Sequence, residues 1–345
     1  MGMVIKDLKP EKGMYQEARE KGMDFGQLLE SLDKENEYTG ELATMTAFER
    51  QLALNDVKVK GPSADVLQKF FATSTVTALF PFYVDSQIKA GIMQGSITQY
   101  LCSATTNINS HVYQRLMMTD TEPDRQLHNV AEGAELPTTT ISYASQNVTL
   151  CKFGRQLRAS YEAIRLQKLD MFGLMLQRIG AQIGIDESDW AIGIILFGDG
   201  NANPLVETDT DVSGTIDYDD MTKLWIAFAR GYQMNNIIVG DALLRRILNL
   251  NEFKDPDAGF SFQRTGELMS PLGCRMTRWS SLAVLPDDYV LGVDQRYGLE
   301  QLVELGTMTE TDDLITHQLH RATVSRWSGF AKSFDHAFEA LEETH

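Results

Sequence analysis

Residues 160–197 read SYEAIRLQKLDMFGLMLQRIGAQIGIDESDWAIGIILF, and the reading of this stretch decides the rest. Ser160 is a good N-cap, since its hydroxyl can accept from a free first-turn amide, and Glu162 suits the positive end of a helix dipole. Leu169, Phe172, Leu176, Ile179 and Ile183 follow at spacings of 3, 4, 3 and 4, the repeat of one helical face. The pattern continues through Trp190, Ile194 and Phe197 and stops at Gly198-Asp199-Gly200. The spacing predicts a single helix over 160–197, about 57 Å long at ~1.5 Å per residue. Gly173, Gly180 and Gly184 predict a bend or the close approach of another backbone.

Upstream, residues 104–158 read as β structure. His111–Met118 carries Val112, Leu116 and Met118, and Thr138–Arg158 is rich in Thr, Val, Tyr and Phe. The polar stretch Thr119–Pro137 lies between them, so the simplest object is a long two-stranded hairpin with a broad tip. An isolated ribbon of two strands is marginal in water; it needs a surface to lie on, and another subunit can supply one. Before it, Leu79, Phe80, Phe82, Tyr83, Val84, Ile88, Ile92 and Met93 predict a buried start to the folded body, interrupted by Pro81. Gly61-Pro62-Ser63 is a break, and Ser63 suits the cap of a short helix over Ala64–Thr73. Residues 1–60 alternate charges without a strong apolar stripe and read as a surface arm.

Downstream, residues 201–310 read as compact α/β. A helix fits Asp217–Gly231, with Leu224, Trp225, Phe228 and Ala229 on one side. Asn235–Val239 is a short buried strand, and Asp241 suits the cap of a helix over Ala242–Leu250. Leu282–Leu285 and Tyr289–Val293 read as strands across a turn at Pro286-Asp287-Asp288. Leu314–Phe330 alternates again, and Ala331–Leu341 fits strand or helix.

The chain has 345 residues, a net charge of −17 and 43% hydrophobic residues, which is enough apolar material for a core. Residues 151–200 are neutral, whereas 201–310 carry −8. Such a balance argues against gripping nucleic acid by phosphate neutralisation and against attraction to anionic membranes. The start, MGMVIKDLKPEKG, shows neither an apolar signal core nor the Ser or Thr of a myristoylation signal. The near-apolar run Trp190–Phe197 is too short to cross a bilayer. Cys102, Cys151 and Cys274 are widely spaced and read as reduced thiols.

No P-loop, nucleophile elbow, Cys-x-x-Cys or His-Glu-x-x-His is present, and nothing ties a Ser, His and Asp together, so the expectation is no enzyme. His317 and His320 are three apart in what reads as a strand and would face opposite sides. Asp120, Glu122 and Asp124 cluster at the hairpin tip and read as a solvated loop. One motif is better than noise. Asp209-Thr-Asp211-Val-Ser213-Gly214-Thr215-Ile-Asp217-Tyr-Asp-Asp220 fits a calcium loop, with ligands from Asp209, Asp211, Ser213, the Thr215 carbonyl, Asp217 and Asp220. Asp220 is shorter than the bidentate Glu of that motif, and residues 201–208 make a poor entering helix. The competing reading is an acidic loop whose Asp217 or Asp219 caps the next helix. Calorimetric titration with calcium separates the two; no cofactor other than calcium is suggested.

Several short motifs then fall in a telling order: Ala131-Glu-Gly-Ala-Glu-Leu-Pro137 in the ribbon, Leu157-Arg-Ala-Ser-Tyr-Glu162 at the helix start, Ile179-Gly-Ala-Gln-Ile-Gly184 before Asp186-Glu187, Asn235–Gly240, Leu272-Gly273 and Asp288-Tyr289-Val290. With the order of parts over about residues 75–345, this resembles the tailed-phage major capsid protein of Hong Kong 97-like fold. The resemblance implies an α+β chain divided into an N-terminal arm (1–75), the start of a peripheral domain (76–103), an extended loop (104–158), a spine helix (159–200), an axial domain (201–308) and a closing β segment of the peripheral domain (309–345).

It further implies self-assembly as pentamers and hexamers into an icosahedral shell, with arm and extended loop lying on neighbouring subunits. The partners implied are a portal, a scaffold or decoration protein, and packaged DNA held by containment. The location implied is the virion capsid, assembled in the bacterial host cytoplasm. No lysine occurs between Lys89 and Lys152, so an isopeptide bond from a ribbon lysine is not expected and the shell should be non-covalent. A rival within the same fold is an encapsulin-like nanocompartment holding cargo enzyme, against which the long polar arm weighs. A rival of another class is a soluble calcium-binding protein.

Overall fold

A computed structural model of the chain describes residues 5–34, 38–118, 127, 129–201, 203–254, 271–280, 284–314 and 319–343. The chain divides into two units, the first from residues 1–95, 154–184 and 307–326, the second from 96–153, 185–306 and 327–345.

In the first unit, the stretch expected as a weakly cored arm is folded. Helices α1 (Gly13–Glu20), α2 (Phe25–Leu32), α3 (Glu41–Thr44) and α4 (Ala47–Leu54) bury Phe25, Leu28, Leu29, Ala47, Phe48 and Leu52. Capping boxes open α2 (Asp24 with Gln27) and α4 (Thr46 with Glu49), which satisfies amides that a helix start leaves free. Arg50 is fully buried: its Nε lies 2.9 Å from Asp33 Oδ2, and its other nitrogens donate to the Asp33 and Met45 carbonyls. Part of the polar composition that reads as surface is therefore the interior.

A short 3-10 turn, Leu67–Phe71, stands where a helix over Ala64–Thr73 is predicted. Helix α5 (Ser74–Gly95) follows and continues through Pro81. Proline has no amide and crowds the preceding turn. Tyr15 fills the opening: its hydroxyl donates to the Ala78 carbonyl at 2.9 Å and accepts from the Phe82 amide at 3.1 Å. An unbroken helix would join those two groups directly.

The single helix expected over 160–197 is two. After α6 (Thr98–Leu101) of the second unit, α7 (Tyr161–Leu166) starts on Ser160, whose hydroxyl accepts from the Ala163 amide at 3.2 Å. It then stops, and α8 (Leu169–Phe197) restarts the run. Gln167 and Lys168 are extended because they pair elsewhere: the Leu67 amide donates to the Gln167 carbonyl and the Leu169 amide to the Asp65 carbonyl. The 29 residues of α8 span about 44 Å. Its predicted close approach is present. A Cβ at Gly180 would stand 2.2 Å from the Ile88 carbonyl oxygen, and one at Gly91 would stand 2.1 Å from that of Gln177; α5 and the first half of α8 touch backbone to backbone.

The expected hairpin forms, in pieces. β1 (Cys102–Asn107) precedes it. β2 (Val112–Tyr113) pairs antiparallel with β5 (Val148–Thr149), and β3 (Leu116–Met118) with β4 (Ile141–Tyr143). Between the pieces Arg115 turns inward, with 3% exposure, and its Nε lies 3.3 Å from Asp199 Oδ2. Residues 151–158, read as a continuation of the ribbon, belong instead to β6 (Cys151–Ser160), an edge strand of another sheet.

The acidic stretch contains β7 (Glu207–Asp209), α9 (Tyr218–Ala227), β8 (Asn236–Val239), α10 (Asp241–Ile247), α11 (Asn251–Lys254), β9 (Arg275–Arg278) and β10 (Tyr289–Val293). Gly240, and not Asp241, holds the N-cap position of α10. Of the predicted strand Leu282–Leu285, residues 282 and 283 lie outside the described residues, and Leu285 is buried without strand pairing. β11 (Leu299–Leu314) and β12 (Leu319–Lys332) are the expected alternating segments, in a sheet of order β1-β11-β12-β6. β13 (Phe338–Glu342) resolves the open reading of 331–341 as strand. It lies inside the five-stranded sheet β7-β13-β10-β8-β9, antiparallel to β10 and parallel to β7. The end of the sequence, expected to close the peripheral domain, thus completes the acidic one. Ile237, Ile238, Leu291, Val293, Phe338 and Leu341 are buried in this sheet.

Candidate assembly surfaces

Self-assembly, expected from the resemblance, would use faces left unpartnered by the chain's own fold. The ribbon is the first. Among the described residues its strands pair only with each other; Val148 and Leu150 at its base pack with Leu302 and Ala331, but Leu116, Ile141 and Tyr143 are 59%, 65% and 66% exposed. Leu127 is fully exposed and Leu136 is 70% exposed. Ala131–Ala134 makes a turn, with the Ala134 amide donating to the Ala131 carbonyl and Gly133 at φ +82°, a conformation that favours glycine. Glu132 and Glu135 are exposed, and residues 129–150 hold no Lys or Arg. The tip acids Asp120, Glu122 and Asp124 lie outside the described residues.

The second is a groove in the first unit, of about 580 Å³. Leu67, Phe71, Phe80, Phe172, Leu176 and Ile179 line it from the 3-10 turn, α5 and α8, while Leu157 and Ala159 of β6 and Ala322 of β12 form another wall. Lys12, Arg158 and Arg321 stand at its polar edge with one acid, Asp312, which is paired with Arg321. Arg158 is exposed and bonds Gln156 Oε1 at 2.9 Å. Lys and Arg on an edge strand also discourage indiscriminate strand pairing.

The third lies on the acidic domain. Leu224 and Phe228 of the predicted helix face are buried, but Trp225 is 40% and Ile226 70% exposed, as is Val212 at 59%. Trp225 therefore falls off the buried face to which its spacing assigned it.

The acidic loop takes the capping geometry. Asp217 is the N-cap of α9: its Oδ1 accepts from the Asp220 amide at 2.9 Å, and Asp220 Oδ2 accepts from the Asp217 amide at 3.0 Å. Asp220 Oδ1 accepts from the Asp211 amide at 3.0 Å. Asp211 pairs with Lys223 Nζ at 2.6 Å, and Lys223 also donates to the Asp209 carbonyl. Ser213 and Thr215 flank a turn at Gly214, φ +72°. Among the described residues no three His, Cys, Asp or Glu side chains gather as a metal would require. His317 lies outside the described residues; His320 is in β12.

Sequence reading missed a buried polar group in the second unit. Asp199, from the Gly-Asp-Gly that ends α8, receives Arg115 and the Lys332 amide at 3.2 Å. Lys332 Nζ donates to the Asn203 carbonyl at 2.5 Å, and burial pushes its ammonium down to about 8. The available signal was a lone Asp between two glycines after a long apolar helix. Among the described residues no helix is long and apolar enough to cross a membrane.

The fold has counterparts in solved structures. The capsid of an empty GTA particle covers 74% of this chain and 90% of its own length at 14% identity, TM-score 0.53. A structure from Microbacterium phage Oxtober96 covers 72% and 91% at 13% identity, TM-score 0.51. The capsid of the cyanophage P-SCSP1u covers 72% and 88% at 11%, TM-score 0.51. At such identities the likeness is one of fold, and it is the Hong Kong 97-like fold expected from the order of parts. No curated protein matches the sequence. Residues 143–333, more than half of the chain, match the family described as phage capsid protein; that span runs from the returning strand of the ribbon through α8 and the acidic domain to β12, and the chain belongs to the phage capsid protein family.

Proposed function

We propose that this capsid protein is the main shell subunit of a tailed phage, assembling with itself as pentamers and hexamers into an icosahedral shell around the genome. The observation that carries this is the ribbon. Beyond its base, where Val148 and Leu150 pack with Leu302 and Ala331, its short strands pair in twos, leave Leu116, Ile141 and Tyr143 on the outside and gain little by folding alone; they become stable by burying that surface against another copy, in a closed symmetric assembly. The acid excess supports a container: a wall of the same sign as DNA disfavours adhesion to it. Assembly in the host cytoplasm, a portal at one vertex and a separate scaffold belong to the same proposal.

Expression of the full chain, followed by sedimentation and electron microscopy, tests it. Closed icosahedral particles are expected. A chain that stays monomeric at high concentration overturns the reading, and particles filled with a cargo protein in the native source would mark a compartment instead.

A further inference from the structure

We propose that Lys332 and Asn203 of one subunit join in an amide bond between their side chains, formed by the folded chain itself with the help of Asp335. The bond lies within the second unit. It ties a subunit to itself and joins no two copies, so it does not depend on the shell reading. Three partners hold Asn203. Lys332 Nζ donates to its main-chain carbonyl at 2.5 Å. The Asp199 amide donates to its side-chain Oδ1 at 3.1 Å. Its Nδ2 donates to Asp335 Oδ1 at 2.9 Å. Asn203 and Lys332 are 8% and 1% exposed, whereas Asp335 reaches Nδ2 from the surface.

These are the parts that exchange of one amide for another requires. The nucleophile is a neutral amine, and a buried lysine supplies it more readily than an exposed one. Burial, helped by the Arg115 charge, pushes the Lys332 ammonium down to about 8 against the pull of Asp335 and Asp199. The nitrogen also lies 5.9 Å from the centre of the Phe338 ring, on the apolar side of the site. The attacked carbonyl needs a donor where negative charge develops, and the Asp199 amide already points at Oδ1. The departing nitrogen needs a proton, and Asp335 already touches Nδ2. For the reaction, Nζ shifts from the main-chain carbonyl of Asn203 to the side-chain carbonyl carbon of the same residue. An Nζ–Cγ bond forms. Asp335 carries a proton from the attacking nitrogen to Nδ2, the Cγ–Nδ2 bond breaks, and ammonia leaves toward solvent. Nothing is oxidised or reduced, and no co-reactant is consumed. The structure is that of the unlinked chain, whose amine still titrates. The product closes the chain from residue 203 to residue 332, a loop that contains β7 to β11, and a cross-link of that reach restricts the unfolded chain.

The test is the intact mass of the full chain, held folded at about pH 9, where the Lys332 amine is mostly neutral, and then denatured. The expected mass is lower by one ammonia. A tryptic digest should contain one branched peptide joining the segments around 203 and 332, uncut after Lys332. Lys332→Met and Asn203→Ala should keep their full mass. Asp335→Asn should slow the loss about a hundredfold or more, and Asp335→Glu should restore part of the rate. A full mass in the folded, unsubstituted chain after prolonged incubation overturns the inference. So does a loss of ammonia that persists in Lys332→Met, which marks ring closure at an asparagine instead. An unchanged rate in Asp335→Asn overturns the part given to that residue. The branched peptide of the unsubstituted chain decides the matter even if a variant fails to fold.

Discussion

One hydroxyl shows how a local defect is absorbed. Pro81 removes an amide from α5, and the Tyr15 hydroxyl takes both groups that the kink releases. Burial raises the Tyr15 pKa well above the usual phenol range, so the group stays a donor. Tyr15→Phe should cost about 1–3 kcal/mol, the range for leaving buried polar groups unpaired, and should speed hydrogen exchange at the Phe82 amide. In a Pro81→Ala background the helix can close on itself and the same substitution should cost less, a coupling that a double-mutant cycle by urea unfolding measures. Lys332 gives a pH-dependent case. Its folded pKa, lowered by burial to about 8 from 10.5, means the folded state binds fewer protons than the unfolded state between those values. Its contribution to stability therefore rises with pH across about 8 to 10.5 and is least below 8. Chemical denaturation of the unsubstituted chain against Lys332→Met across that window should show the difference; equal slopes would contradict it.

Elements show what sequence carries and what it does not. The spacing of Leu169, Phe172, Leu176, Ile179 and Ile183 is a local property, and α8 follows it. The interruption at Gln167-Lys168 is not local: no proline or glycine causes it, and the competing partner is the Asp65–Leu67 backbone, about a hundred residues earlier. The folded arm was hidden because its apolar stripes are short, Phe25, Leu28 and Leu29 in one helix and Phe48 and Leu52 in another, and the buried Arg50–Asp33 pair between them reads as surface charge. The ribbon was legible as paired β segments, but the inward turn of Arg115 toward Asp199 depends on a residue far along the chain. Of the assembly surfaces, the apolar ribbon could be read; the groove could not, since its walls come from four separated stretches. The glycines of α5 and α8 make a prediction at this scale. Gly180→Ala would place a methyl 2.2 Å from a backbone oxygen, and the helices must part. A loss of about 1–3 kcal/mol, the usual cost of overpacking, is expected in the urea midpoint, against little change for Gly133→Ala beyond its backbone strain.

At the scale of the whole molecule the acid is spread unevenly. Residues 76–150 and 201–310 are acidic while 151–200 are neutral, so copies of this chain repel one another through their net charge. Salt screens that repulsion, and particle yield should rise from low to moderate ionic strength, as sedimentation would show. With no lysine between Lys89 and Lys152, boiled particles should run as one monomer band on a denaturing gel; a ladder of multimers would contradict a non-covalent shell. The position of β13 has a last consequence, in time. β7 and β10 flank a gap that only residues 338–342 fill, so on the ribosome the acidic domain stays open until almost every other described element has been synthesised. A nascent chain that ends before residue 338 lacks the strand that joins β7 to β10, and its acidic domain cannot yet close.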